Sequence, residues 1–170
     1  MDENRLVATL TDSETGLLNA TYFNLRLEEE FKKSWRFSWS YALLFLEVEG
    51  LAAHEKISGR NAGDAAVLDI AGEILTASRD VDLSARISRS RFAMLLPGTP
   101  AAGALVMVQR VMSQVLEKLD AGLSLSVGIS AAPQDGLSSV EDFLSRADAA
   151  LQLARSQGRN QVVTWNSKSR

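Results

Sequence analysis

Cysteine is absent from this sequence and histidine is nearly so, with His54 alone. Lack of cysteine excludes disulfides and thiolate metal sites and fits a reducing, cytoplasmic location. Long apolar runs are missing too. The longest, Tyr41–Leu46, is far too short to span a bilayer, and nothing at the start reads as a signal peptide. No membrane contact by this domain itself is expected, although the sequence is compatible with a part of a larger, membrane-anchored protein. Neither sign of charge dominates: the net charge is −3. An electrostatic grip on nucleic acid or on an anionic membrane is therefore not expected, local basic patches aside. Internal repeats, low-complexity tracts and linkers are lacking. With 170 residues, 46% apolar and 23% charged, the remaining description is one globular domain large enough to bury a core.

What is present begins with Ser84–Pro97, S-A-R-I-S-R-S-R-F-A-M-L-L-P. Ala85–Ile87 and Phe92–Leu96 flank the polar tetrapeptide Ser88-Arg89-Ser90-Arg91, which predicts an antiparallel hairpin closed by Pro97. Phe92, Met94 and Leu96 would share one face and Ala93 and Leu95 the other, the pattern of a central strand covered on both sides. Ser40–Val48 reads the same way and ends in Glu47 and Glu49. Helices are predicted over Thr21–Arg36, Gly50–Ser58, Ala62–Ser78, Pro100–Leu119 and Val140–Ser156 from apolar residues at i, i+3, i+4 spacing. Leu123–Ala131 and Gln161–Trp165 complete a set of five strands. A turn is expected around Thr15–Asn19, where Gly16 breaks regularity, and Pro133–Leu137 is expected to be a loop. The order gives an α+β sandwich: a ferredoxin-like βαββαβ core whose mostly antiparallel sheet is flanked by helices on one or both faces.

Several patches resemble one family in order and spacing. D-S-E-T-G-L-L-N at 12–19 resembles D-x-L-T-G-L-x-N, and L-E-V-E at 46–49 falls where that family has its D-I-D metal strand. G-R-N-A-G-D at 59–64 resembles G-H-x-x-G-D. S-V-G-I-S at 126–130 follows the family's S-x-G-(I/V)-(A/S) strand, and A-D-A-A-L-Q-L-A-R-S-Q-G-R-N at 147–160 tracks A-D-x-A-L-Y-x-A-K-x-x-G-R-N. Together they make the chain resemble a GGDEF domain of the diguanylate cyclases, which join two GTP molecules into cyclic di-GMP on a nucleotide-cyclase-like fold. The match runs over 12–166, with 1–11 an expected helical lead-in and 167–170 a tail.

Without a gap, the five naming residues fall on Ser88-Arg89-Ser90-Arg91-Phe92, so by this resemblance the motif is degenerate. Ser90 stands in place of the first acid and Arg91 in place of the second. Glu47 replaces the metal-strand aspartate, and Glu55 replaces the asparagine that reads guanine. Asp64 matches the other guanine reader. Arg155 and Arg159 match phosphate-contacting basic positions and are candidate nucleotide contacts. A serine hydroxyl is neutral and Mg²⁺ favours hard anionic oxygens. The resemblance therefore implies no catalytic residues, no bound Mg²⁺ or other cofactor, and no cyclase activity.

One family feature is kept. The product-binding R-x-x-D sits five residues before the naming motif; here Arg79-Asp80-Val81-Asp82 is followed by Leu83–Ile87 and then Ser88. Roughly 0.6 such tetrapeptides are expected by chance in a chain of this length, so the register carries the information. An arginine fork pairs with phosphate or a guanine edge, and a carboxylate accepts from guanine N–H groups. Arg110 matches a secondary arginine for the same ligand, and Arg89 and Arg91 would add positive potential nearby. Plainer readings stand alongside: Arg79 and Asp82 as a solvated helix-end pair, Glu47 and Glu49 as a strand end in water, Arg155 and Arg159 facing a helix dipole. His54 is read as a helix-surface residue, Met94 and Met107 as core, and Trp35, Trp39 and Trp165 as covers for sheet edges or a partner surface. Three function classes remain open. The first is a cyclic di-GMP receptor passing its signal to flanking domains, partner proteins or a second copy. The second is an interaction scaffold with no nucleotide, and the third is a GTP-binding or residual cyclase domain.

Overall fold

A computed structural model describes residues 9–133 and 137–166. The expected tail, most of the expected lead-in and the middle of the 133–137 loop lie outside the described residues. Within them the elements are β1 (Leu18–Asn19), α1 (Ala20–Phe37), β2 (Tyr41–Glu49), α2 (Leu51–Ser58), α3 (Arg60–Ala77), β3 (Leu83–Arg86), β4 (Arg91–Pro97), α4 (Ala101–Lys118), β5 (Ser124–Ala132), α5 (Val140–Ser156) and β6 (Val162–Thr164). They form one six-stranded sheet in the order β1-β3-β4-β2-β5-β6. The four middle strands are antiparallel, while the short β1 and β6 pair in parallel with β3 and β5.

The double apolar character of β2 and β4 is what the sheet uses. Ala42, Leu44, Leu46 and Val48 pack with Phe92, Met94 and Leu96 against α3 and α4. Tyr41, Leu43 and Phe45 pack with Ala93 and Leu95 against α1 and α5. Helices therefore cover both faces. Met94 is fully buried, whereas Met107 packs against the core from a partly buried position. Gly128 of β5 faces α5 with no room for a side chain: a Cβ there would run into the backbone of Ala147 and Leu151.

Capping fixes where α1 and α5 start. The Asn19 side chain accepts from Tyr22 N–H and the Ser139 hydroxyl from Asp142 N–H, satisfying donors that a helix start leaves open. Asn19 belongs to β1, the one strand the sequence reading does not contain. At two residues it is too short to show a period, and it forms because the Asp12–Gly16 turn delivers Leu18 alongside Ala85.

Candidate functional site

β2 ends and β4 begins at the same end of the sheet, with Glu47 directly opposite Arg91. The turn that joins β3 to β4 at this end is Ile87–Ser90, one residue earlier than the sequence reading set it. Ile87 N–H and Ser88 N–H both donate to Arg91 O, at 2.8 and 3.2 Å. Among the described non-glycine residues only Ser38 and Asn160 have positive φ, so this glycine-free turn closes without a left-handed residue, as its sequence demands.

Arg89 in the turn and Arg91 at the start of β4 diverge to opposite faces. Arg91 Nε donates to Glu47 Oε2 at 2.6 Å and its Nη1 to Asp148 Oδ1 at 3.0 Å, with the guanidinium carbon 5.7 Å from the Phe45 ring centre. Ser90 Oγ donates to the other Glu47 oxygen at 2.5 Å. On the α2–α3 side, Arg89 donates through Nε and Nη2 to Glu55 Oε1 and through Nη2 to Asp64 Oδ1 at 2.6 Å. Arg86, nearly buried, holds Asp12 and Glu14. Burial works against the charge on Arg89 and Arg91. Their carboxylate hydrogen bonds and charges outweigh it and hold both above the ordinary arginine range.

These contacts revise two sequence readings. Glu47 and Glu49 are not a strand end left in water: Glu49 accepts from the Ser126 hydroxyl and lies 3.7 Å from Arg155. Arg89 and Arg91 do not lend charge to the Arg79 region, because carboxylates neutralise them. They also lie at the far end of the hairpin, ~20 Å away at ~3.4 Å per residue along β4.

At that far end Arg79 follows α3 and Asp82 precedes β3. Arg79 N–H donates to Asp82 Oδ2 at 2.8 Å, and its Nη2 reaches Asp82 Oδ1 at 2.7 Å, Thr99 Oγ1 at 2.8 Å and Pro97 O at 3.1 Å. The bond to Asp82 is the main reason Arg79 is held above the usual arginine pKa. Asp82's carboxylate is wholly covered while the Arg79 side chain stays 55% exposed. Arg110 Nη2 lies 3.5 Å from Ala77 O. Arg79, Asp82, Thr99, Met107 and Arg110 line one surface concavity of about 320 Å³.

Asp64, Arg155 and Arg159 make separate contacts. Asp64 binds Arg89, Arg155 faces Glu49, and Arg159 Nη2 donates to Ala121 O and Leu123 O at 2.7 and 2.6 Å. Arg159 thus ties the α4–β5 loop instead of facing a helix dipole. His54 is not a surface residue: its side chain is largely covered and its Nε2 lies 3.1 Å from Asp120 Oδ2. Trp165 extends the sheet edge through its N–H to Ile129 O, whereas Trp35 and Trp39 are exposed. The sequence reading gave no role to Asp148, Ser126, Thr99 or Arg86. Asp148 and Ser126 lie inside the quoted patches; Thr99 and Arg86 carry no local signal. Among the described residues no group of three or more His, Asp or Glu side chains is placed to hold a metal.

A six-stranded mixed sheet with a hairpin turn set against the end of its central strand is the architecture of a nucleotide-cyclase-like signalling domain. The chain belongs to the family described as "Diguanylate cyclase, GGDEF domain", which it matches over residues 9–161. It is 28% identical over 163 residues to the bifunctional diguanylate cyclase/cyclic di-GMP phosphodiesterase MucR of Pseudomonas aeruginosa, covering 93% of this chain and 24% of that protein. It is 29% identical over 153 residues to diguanylate cyclase DgcM of Escherichia coli, covering 89% of this chain and 37% of that protein. The chain thus spans well under half the length of these relatives. The GGDEF domain of DgcB from Caulobacter crescentus, solved in complex with c-di-GMP, superposes with a TM-score of 0.85 at 22% identity, over 91% of this chain and 95% of that one. This last likeness concerns the fold.

Proposed function

We propose that this domain makes no cyclic di-GMP and instead binds it, through Arg79, Asp82 and Arg110, as a receptor within a larger signalling protein. The observation that carries the reading is that Arg79 and Arg110 share one concavity, where the covered Asp82 carboxylate holds the Arg79 guanidinium in place. The half-exposed Arg79 guanidinium offers a flat cation for guanine stacking and free edge for a phosphate oxygen. Arg110 supplies a second cation, and the solved c-di-GMP complex of DgcB makes this messenger the ligand to test first.

The proposed inactivity rests on the turn. The family's reaction calls for a divalent cation, and the residues here do not suit one. Glu47 is already bound by the Ser90 hydroxyl and Arg91, and a guanidinium 2.6 Å from its carboxylate repels a second cation. Arg89 fills the space between Glu55 and Asp64, where by resemblance a guanine would be read. Removing one ligand that steadies a transition state costs several kcal/mol, or several powers of ten in rate. Isothermal titration with cyclic di-GMP is expected to give saturable binding that Arg79→Ala abolishes, alongside no product from GTP with Mg²⁺ or Mn²⁺. A flat titration at high ligand concentration refutes the receptor, and product formation refutes the inactivity.

A further inference from the structure

The segment Lys32–Trp39 reads K-K-S-W-R-F-S-W and holds three cations, three large aromatics and no acid. It ends α1 and leads into β2, and every residue in it except Ser34 is exposed. Trp35 is 62% exposed, and Phe37 and Trp39 are each 53% exposed. The backbone beneath is pinned: Ser34 Oγ donates to Trp39 O at 2.9 Å, Trp39 N–H donates to Ser34 O at 3.3 Å, and Ser38 takes the left-handed conformation at φ 52°. The rings are ordered in pairs. Trp35 stacks on Phe31 at 6.1 Å between centroids, Phe37 on Trp39 at 5.1 Å, and Arg36 lies 5.5 Å over Phe37. Lys33 is drawn toward Glu30 at 2.7 Å, leaving Lys32 and Arg36 as the outward cations.

Aromatic side chains present ~150–250 Å² each, so this tip exposes on the order of 300 Å² of ring surface. A patch of that size matches the largest apolar patch of a typical monomer, which is often functional, yet it falls well short of the ~800 Å² per partner of a stable protein interface. We propose that the tip docks on an anionic phospholipid surface. Tryptophan and phenylalanine on a rigid turn enter the headgroup–acyl boundary without needing a matching pocket, while Lys32 and Arg36 meet the lipid phosphates. The overall charge of −3 disfavours such a surface, so contact is oriented through this basic tip.

The test is co-sedimentation of the full chain with phosphatidylcholine vesicles, with and without phosphatidylglycerol. Binding is expected only to the anionic vesicles and should weaken with added salt. The double variant Trp35→Ala/Trp39→Ala should partition about tenfold less or worse, and Lys32→Glu/Arg36→Glu should do the same. Because all four side chains are exposed, unchanged thermal unfolding will verify the fold of each variant. A blue shift of tryptophan emission on anionic vesicles, retained in Trp165→Phe, gives a second readout. Absence of vesicle binding, equal binding to both compositions, or unaltered binding by the double variant overturns the proposal. So does tryptophan-dependent dimerisation, or retention on a soluble acidic polypeptide with none on vesicles; these reassign the tip to a protein partner.

Discussion

Replacing Arg89 with alanine leaves Glu55 and Asp64 facing one another across the space their shared cation filled. The magnitude follows from burial. Arg89 is 28% exposed, and its partners are 21% and 32% exposed. Breaking a fully buried ion pair costs about 3–5 kcal/mol, while an exposed pair contributes less than about 1 kcal/mol. A triad roughly three-quarters covered falls between, at about 2 kcal/mol. One feature offsets part of this: Arg89 Nη1 is buried without a hydrogen bond, 3.6 Å from Glu14, so its removal also relieves an unpaired donor. At about 2–4 °C per kcal/mol for a chain of this length, the melting temperature should drop about 4–8 °C. Calorimetry or urea unfolding reads this directly. Adding Glu55→Gln to Arg89→Ala should recover part of the loss by removing the carboxylate repulsion. Arg89→Ala with unchanged or raised stability refutes the idea that the turn is locked by its arginines.

Other outcomes follow from separate parts of the molecule. Gly128→Ala places a Cβ within 2.7 Å of Leu151 Cα and closer still to backbone of Ala147 and Leu151; forcing α5 off the sheet should cost about 1–3 kcal/mol or more in urea unfolding. Tyr41 is 2% exposed, and burial, then its hydrogen bond to Glu30, pushes it up to about 12. The unfolded chain ionises this phenol near 10 and the folded one does not. Stability should therefore fall as pH rises from about 10 to 12, by up to about 3 kcal/mol, and Tyr41→Phe should flatten that limb. Arg110→Ala should weaken cyclic di-GMP binding about tenfold, the value of one charge-assisted contact, while leaving urea unfolding unchanged; equal affinity removes Arg110 from the site.

The sheet was legible because β2 and β4 are apolar on both faces over Tyr41–Leu46 and Phe92–Leu96, a signature that a strand covered on both faces sustains. β1 was not, since two residues carry no period and their strand character comes from the turn before them and from β3 beside them. In the site, Ser90 and Arg91 were visible in the sequence at the turn. The partners they acquire were not. Arg89 meets Asp64, 25 positions away, and Arg91 meets Asp148, 57 positions away, and such distances are bridged by tertiary placement alone. The same holds for Arg79, whose contacts to Pro97 and Thr99 across the hairpin turn a local R-x-x-D into one wall of a concavity shared with Arg110. The aromatic tip shows the reverse: Trp35 and Trp39 were conspicuous in the sequence, and only the fold shows that they face outward together with Lys32 and Arg36.

The measurement closest to the central claim is a crystal structure of the domain grown with cyclic di-GMP. The account predicts dinucleotide density against Arg79 and Arg110, with the Arg89–Glu55–Asp64 and Arg91–Glu47–Asp148 contacts intact. Density lodged at the Ser88–Arg91 turn with those contacts broken, or none at a ligand concentration that saturates the crystal, contradicts it.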